Sequence, residues 1–243
     1  SQFHSGGGIR GERSKASRVA SNPASGSTFK RRIVVTAASE NHGKVLVEFI
    51  EQYKKIGFVM DQRVPLVVYD LGGLRTTLES EHTWEWLEWR TFPYLEFPKF
   101  FDVRVNAGQY AWKPAIVNRT MVETGGDVLW VDSGWLLNPG ALDFVFGSED
   151  FGKRHGAGLN SSQGYGLYAT QSVGSLETWL HPKTLDYLVP KRHKLRKALR
   201  EHGNVNAAAV GFSQANRELV ARWARCALEK SCIAPEGSSR DNH

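Results

Sequence analysis

Cysteine is scarce, long apolar runs are missing, and outside one short segment there is no excess of charge in this chain of 243 residues. Cys226 and Cys232 are the only cysteines and lie six positions apart, which allows a small disulfide loop but not a zinc site of four ligands. No stretch approaches the roughly 18 apolar residues of a membrane span, so none reads as transmembrane. There is no Walker loop and no Gly-x-Ser-x-Gly elbow, and the eight histidines show no paired metal-ligand spacing. Phosphotransferase and hydrolase readings therefore have no motif to stand on. No internal repeat is visible.

The net charge of +6 invites a nucleic-acid reading, but residues 1–32 hold seven basic residues against Glu12 alone, which is the whole excess. Phosphate recognition needs its cations on a folded surface, so a neutral body with a basic tail argues against nucleic acid as a partner. The tail also has Gly6 to Gly8, scattered serines and little apolar periodicity. Such a segment cannot bury enough surface to offset its ordering entropy, and residues 1–31 are expected to form a flexible basic stem ahead of one domain at 32–243. Gly6-Gly7-Gly8-Ile9-Arg10-Gly11 is no nucleotide fingerprint, because no strand precedes it. The start at Ser1 without a Met reads as a processed form, with membrane attachment expected only through an anchor lost upstream.

What is present is a core. Hydrophobic residues make up 41% of the chain and tryptophan occurs eight times, enough for one sizeable interior. The pattern alternates between strands and helices. Ile33 to Ala38 is a β-branched run, Val45 to Tyr53 has helical apolar spacing, and Val64 to Tyr69 is a second buried strand ending at Asp70-Leu71-Gly72-Gly73. Thr83 to Phe101 shows no assignable period, and Phe100 to Val105 is read as a third strand. Pro114 fits the first turn of a helix that Gly125-Gly126 ends, with Trp112, Ile116, Val117 and Met121 on one face and Arg119 paired with Glu123 on the other. Asp127 to Asp132 is nearly continuous in apolar character, as a central parallel strand would be. Beyond a Gly-rich loop at 152–166, a strand is expected at Leu167 to Thr170, helices near 172–180 and 182–202, a strand at Asn204 to Phe212 and a helix at Gln214 to Leu228.

The most informative stretch is Gly126 to Gly134. A helix running into a buried strand, with an acid and then small residues at the strand's end, is how many α/β enzymes present a carboxylate to a metal-bound nucleotide, and it makes Asp132 the expected centre of the site. The sequons Asn118-Arg119-Thr120 and Asn160-Ser161-Ser162, with the two cysteines, point toward a secretory compartment.

Four motifs in this order, Val67-Val68-Tyr69-Asp70-Leu71-Gly72, Tyr110-Ala111-Trp112-Lys113-Pro114, Leu129-Trp130-Val131-Asp132-Ser133-Gly134 and Cys232 to Ser238, make residues 32–243 resemble a eukaryotic family related to GT-A nucleotide-sugar glycosyltransferases. The resemblance implies a Rossmann-like α/β domain, a central mostly parallel sheet flanked by helices, that moves a sugar from a nucleotide-diphosphate donor to a glycan or glycoprotein acceptor in the Golgi or ER lumen. It also implies a divalent metal, Mn²⁺ or Mg²⁺. Where that class commonly carries Asp-x-Asp, Asp132-Ser133-Gly134 retains only the first acid. One carboxylate can still suffice when the donor's phosphates and water complete the shell. Asp132 is the first expected metal ligand and His243 the second, by the likeness to GT-A enzymes with a C-terminal histidine ligand.

Further expectations attach to single residues. Lys113, just before a helix, is the expected diphosphate partner, while Tyr110 and Trp112 either stack on the nucleobase or pack in the core. Thr36, Ala37 and Asp70 lie at carboxyl ends of predicted strands, where open α/β sheets bind ligands, although Asp70 reads equally as a turn residue. Asn206 resembles an Asn-Ala-Gly element beside the donor sugar in related transferases, and Trp179 with His181 could line an acceptor pocket. Glu177 and Asp186 are possible general bases by position. Two alternatives stay open: a non-catalytic carbohydrate-binding or interaction module that retains the fold, and an adaptor that uses the basic tail on acidic surfaces.

Overall fold

The computed structural model describes residues 31–59, 64–146, 166–189, 194–201 and 203–238. The expected stem, all but Arg31, the Gly-rich loop up to residue 165, Asn160 and His243 lie outside them. Six strands form one sheet: β1 (Arg32–Ala38), β2 (Leu66–Asp70), β3 (Glu88–Thr91), β4 (Asp127–Val131), β5 (Leu167–Ser175) and β6 (Gly203–Phe212), in the spatial order β3-β2-β1-β4-β6-β5. β1 pairs in parallel with β2 and β4, and β2 with β3, whereas β6 runs antiparallel to both β4 and β5. This is the expected α/β architecture.

The uninterrupted apolar runs of β1, β2 and β4 are explained by burial on two faces. Val34, Leu66, Val68, Leu129 and Val131 pack with Leu46, Phe49, Ile50 and Tyr53 of α1 (Gly43–Val59). Their neighbours Ile33, Val35, Val67, Tyr69, Val128 and Trp130 face the other way, onto Ile116, Val117 and Met121 of α3 (Trp112–Thr124). A shorter α2 (Leu74–Glu81) follows β2. The ion pair expected on α3 is present, with Arg119 Nε 2.9 Å from Glu123.

Three elements differ from the sequence reading. The third strand is β3, inside the stretch without a period, and Phe100 to Val105 is a series of turns. Its aromatics are spent on packing instead: Phe101 stacks with Phe97 at 4.8 Å between centroids and joins Phe92 in the α3-side core. The strand after residue 166 extends to Ser175, leaving only a one-turn helix at Leu176–Trp179. The segment expected as one helix over 182–202 is divided into Pro182–Leu188 and Leu195–Glu201.

Near the C-terminus, Arg217–Leu228 packs on α3 and is tied by the Cys226–Cys232 disulfide to the short helix Lys230–Ile233. Closing so small a loop restricts the unfolded chain by about 2 kcal/mol in the loop-entropy model. Replacing both cysteines with serine is therefore expected to lower unfolding free energy by about that amount in urea denaturation; an unchanged midpoint would show that the bond constrains nothing.

Candidate functional site

The parallel strands aim their carboxyl ends at one edge of the sheet. The chain leaves β1 outward to β2 and β3, then returns to β4 on the other side of β1. Loops after β1 and β4 consequently diverge and leave a crevice between them, the place where open α/β sheets bind ligands. A cavity of about 710 Å³ opens there. Ala37, Ala38, Ser39, Asn41 and His42 line it from the β1 end, and Asp132, Ser133, Gly134 and Trp135 from the β4 end. Trp112 and Lys113 close it from the start of α3, and Arg104, Asn106, Ala107 and Tyr110 from the segment before.

At its floor Lys113 and Asp132 meet. Lys113 is only 8% exposed, and its Nζ lies 2.7 Å from Asp132 Oδ1 and donates to the Ala207 carbonyl of β6 at 3.1 Å. The same Oδ1 accepts the indole N–H of Trp130 at 2.6 Å, and the Lys113 ammonium sits 5.3 Å from the centroid of that ring. The Asp132 backbone N–H donates to Ala208 O at 2.7 Å. A buried ammonium is tolerated only when it is paired and hydrogen-bonded, and its partners here are Ala207 of β6, Trp130 of β4 and Asp132 directly after β4. At the rim Arg104 grips Asp102 through two nitrogens, and those hydrogen bonds hold the Asp102 carboxyl down at about 2. Lys113 is paired with Asp132 and Arg104 with Asp102, so each cation at the cavity stands beside a carboxylate.

The wall leading to α3 is unusual. Asn106, Ala107, Gly108, Gln109 and Tyr110 all have positive φ, so one turn of left-handed helix is built largely from residues with a Cβ. Left-handed backbone costs such residues roughly 1–2 kcal/mol each, and strain of this kind concentrates at ligand sites. The turn is held by Gly108 N–H on Val105 O (2.9 Å), Ala111 N–H on Gly108 O (3.0 Å) and the Trp112 indole on Ala107 O (3.0 Å). It carries Asn106, Ala107 and Tyr110 to the cavity.

Of the residues singled out from the sequence, the cavity brings together Ala37, Tyr110, Trp112, Lys113 and Asp132. The others stand elsewhere. Thr36 is fully buried, its hydroxyl without a partner among the described residues. Asp70 is 5% exposed and accepts the N–H groups of Gly72, Leu74 and Arg75, so it caps α2. Asn206 turns its Oδ1 back onto the Ala208 N–H at 2.8 Å, although its neighbour Ala207 holds Lys113. Trp179 donates to Val173 O, His181 accepts the Lys183 N–H, and neither lines the cavity. Asp186 is paired with Arg196, and Glu177 is also absent from the lining. Ser39, Asn41, His42, Arg104, Asn106 and Trp135 join the site without having been singled out. For Asn41, His42 and Trp135 the clue was position, since each follows a strand whose end was already marked.

Among the described residues Asp132 is the one acidic side chain lining the cavity, and no group of three His, Cys, Asp or Glu converges. The oxygen of Asp132 nearest the protein's own cation is already shared by Trp130 and Lys113. Unit charges 4 Å apart near a protein surface interact by about 4 kcal/mol, and a divalent ion beside the Lys113 ammonium would be repelled by more than that. The described residues therefore do not themselves compose a metal site.

Fold and cavity together define an α/β protein with an open crevice, floored by a buried lysine–aspartate pair, at the switch point of its sheet. The folded chain is similar to the galactosyltransferase LgtC solved in complex with donor and acceptor sugar analogues, with 12% identity and a TM-score of 0.48 over 82% of this chain and 68% of that one. An active-site mutant of LgtC matches over the same shares at 12% identity and a TM-score of 0.43. The apo bifunctional glycosyltransferase WbbM matches at 14% identity and 0.45, over 88% of this chain and 36% of that one. No protein-family model and no curated protein sequence matches the chain.

Proposed function

We propose that this chain is a glycosyltransferase that binds a nucleotide-diphosphate sugar in the switch-point crevice and moves the sugar to a glycan or glycoprotein acceptor. The observation that carries the reading is Lys113, a buried ammonium facing an open cavity at the carboxyl ends of parallel strands. An ammonium in that position suits a diphosphate, whose charge rises as the bond to the sugar breaks. The exposed faces of Tyr110 and Trp135, 37% and 38% accessible, suit a nucleobase or a sugar ring. Residues 1–31 serve as a stem ahead of the domain. The disulfide supports action in the oxidising lumen of the ER or Golgi.

Titration calorimetry with a panel of UDP- and GDP-sugars tests the reading. At least one is expected to bind and to be turned over in the presence of suitable acceptors, and binding of none would remove the proposal. A second reading, a carbohydrate-binding module without turnover, is favoured by Asp132 being the one carboxylate on the cavity among the described residues. Donor binding that is never followed by transfer or hydrolysis would decide for it.

A further inference from the structure

We infer that the Lys113 ammonium itself receives the donor's diphosphate, and that Asp132 is the positioning residue that holds this ammonium rather than the ligand of a divalent cation. The inference rests on the nucleotide-sugar reading and concerns the same cavity. An ammonium has three N–H donors. One is taken by Asp132 Oδ1 and one by Ala207 O, and among the described residues no acceptor takes the third. Lys113 nonetheless lines the cavity, so a ligand oxygen can reach it from the open side. The Trp130 ring supports the ammonium electrostatically.

Asp132 is arranged to hold rather than to chelate. Its Oδ1 accepts two donors, from Trp130 and Lys113, while its backbone N–H is fixed to β6 through Ala208 O. The indole bond sets the carboxylate's direction, and the carboxylate sets the ammonium's. The cation that a diphosphate needs is thus supplied by the chain.

The test is titration of UDP and GDP, alone and as their sugars, into the whole chain, in EDTA and in excess Mn²⁺. Wild-type affinity is expected to agree within about twofold in the two buffers. Lys113→Ala is expected to weaken binding by about tenfold to a hundredfold, as the loss of a charge-assisted hydrogen bond does, while Lys113→Arg retains most of it and shows that the site still folds. If Asp132 acts through Lys113, Asp132→Asn changes affinity by at least about threefold alone and by less than about twofold when Lys113 is already alanine. A purely structural acid would not show that coupling. Binding that Mn²⁺ tightens about tenfold or more, or that survives Lys113→Ala, overturns the inference and leaves the glycosyltransferase reading intact. Failure of every nucleotide in both buffers overturns the two together.

Discussion

Trp130→Ala is expected to cost about 3–5 kcal/mol of stability, a large share of what a single domain has. Trp130 is fully buried at the centre of the sheet, with its ring 5.7 Å from that of Trp112 and the Lys113 ammonium near its face. Truncation removes a fully buried indole and leaves a void that β4, bonded on both sides, cannot collapse to fill. It also strips Asp132 of its indole donor. Trp130→Phe largely separates the two effects, since it keeps most of the ring volume while removing the N–H. Urea denaturation should show a far smaller loss for Phe than for Ala, while nucleotide affinity falls in both. Equal denaturation midpoints for Ala and wild type would refute this account of the core.

Gly108→Ala is expected to destabilise by about 2–5 kcal/mol, the sum of left-handed strain and overpacking. A Cβ at residue 108 would stand 2.2 Å from the Phe101 carbonyl oxygen, a backbone atom that cannot swing aside, and φ is +62°. Gly73 is the control: φ is +75°, but a Cβ there meets nothing within 4 Å. Gly73→Ala should therefore cost only the conformational part, about 1–2 kcal/mol. If the two variants proved equally stable by denaturant titration, close packing under the left-handed turn would not be what holds it. A loss of nucleotide binding by Gly108→Ala under conditions where the chain stays folded would tie the turn to the site.

The elements that were legible are those whose environment is uniform. β1, β2 and β4 are buried on both faces, so their apolar runs are continuous, and α3 carries its own start and stop in Pro114 and Gly125. β3 was not legible because Glu88-Trp89-Arg90-Thr91 is an edge strand that borrows its order from β2 alone. Phe100 to Val105 has strand-like composition, yet aromatic stacking with Phe92 and Phe97 absorbs it into turns. In the site, Ala37 and Asp132 could be marked because a strand's end is a local property. Asp70 shares that property but turns inward to cap α2, a choice made by its hydrogen bonds and invisible in its position.

By itself the sequence determined the alternation of strand and helix, the balance of charge between tail and body, and the candidacy of Lys113 and Asp132, because these depend on residues near one another in the chain. Only the tertiary structure decided that the two are one ion pair, that Arg104, His42 and Trp135 share their cavity, and that Trp179 and His181 do not. The physical reason is the return of the chain from β3 to the far side of β1. That crossover is settled by burial and strand pairing across long separations, and no local period records it.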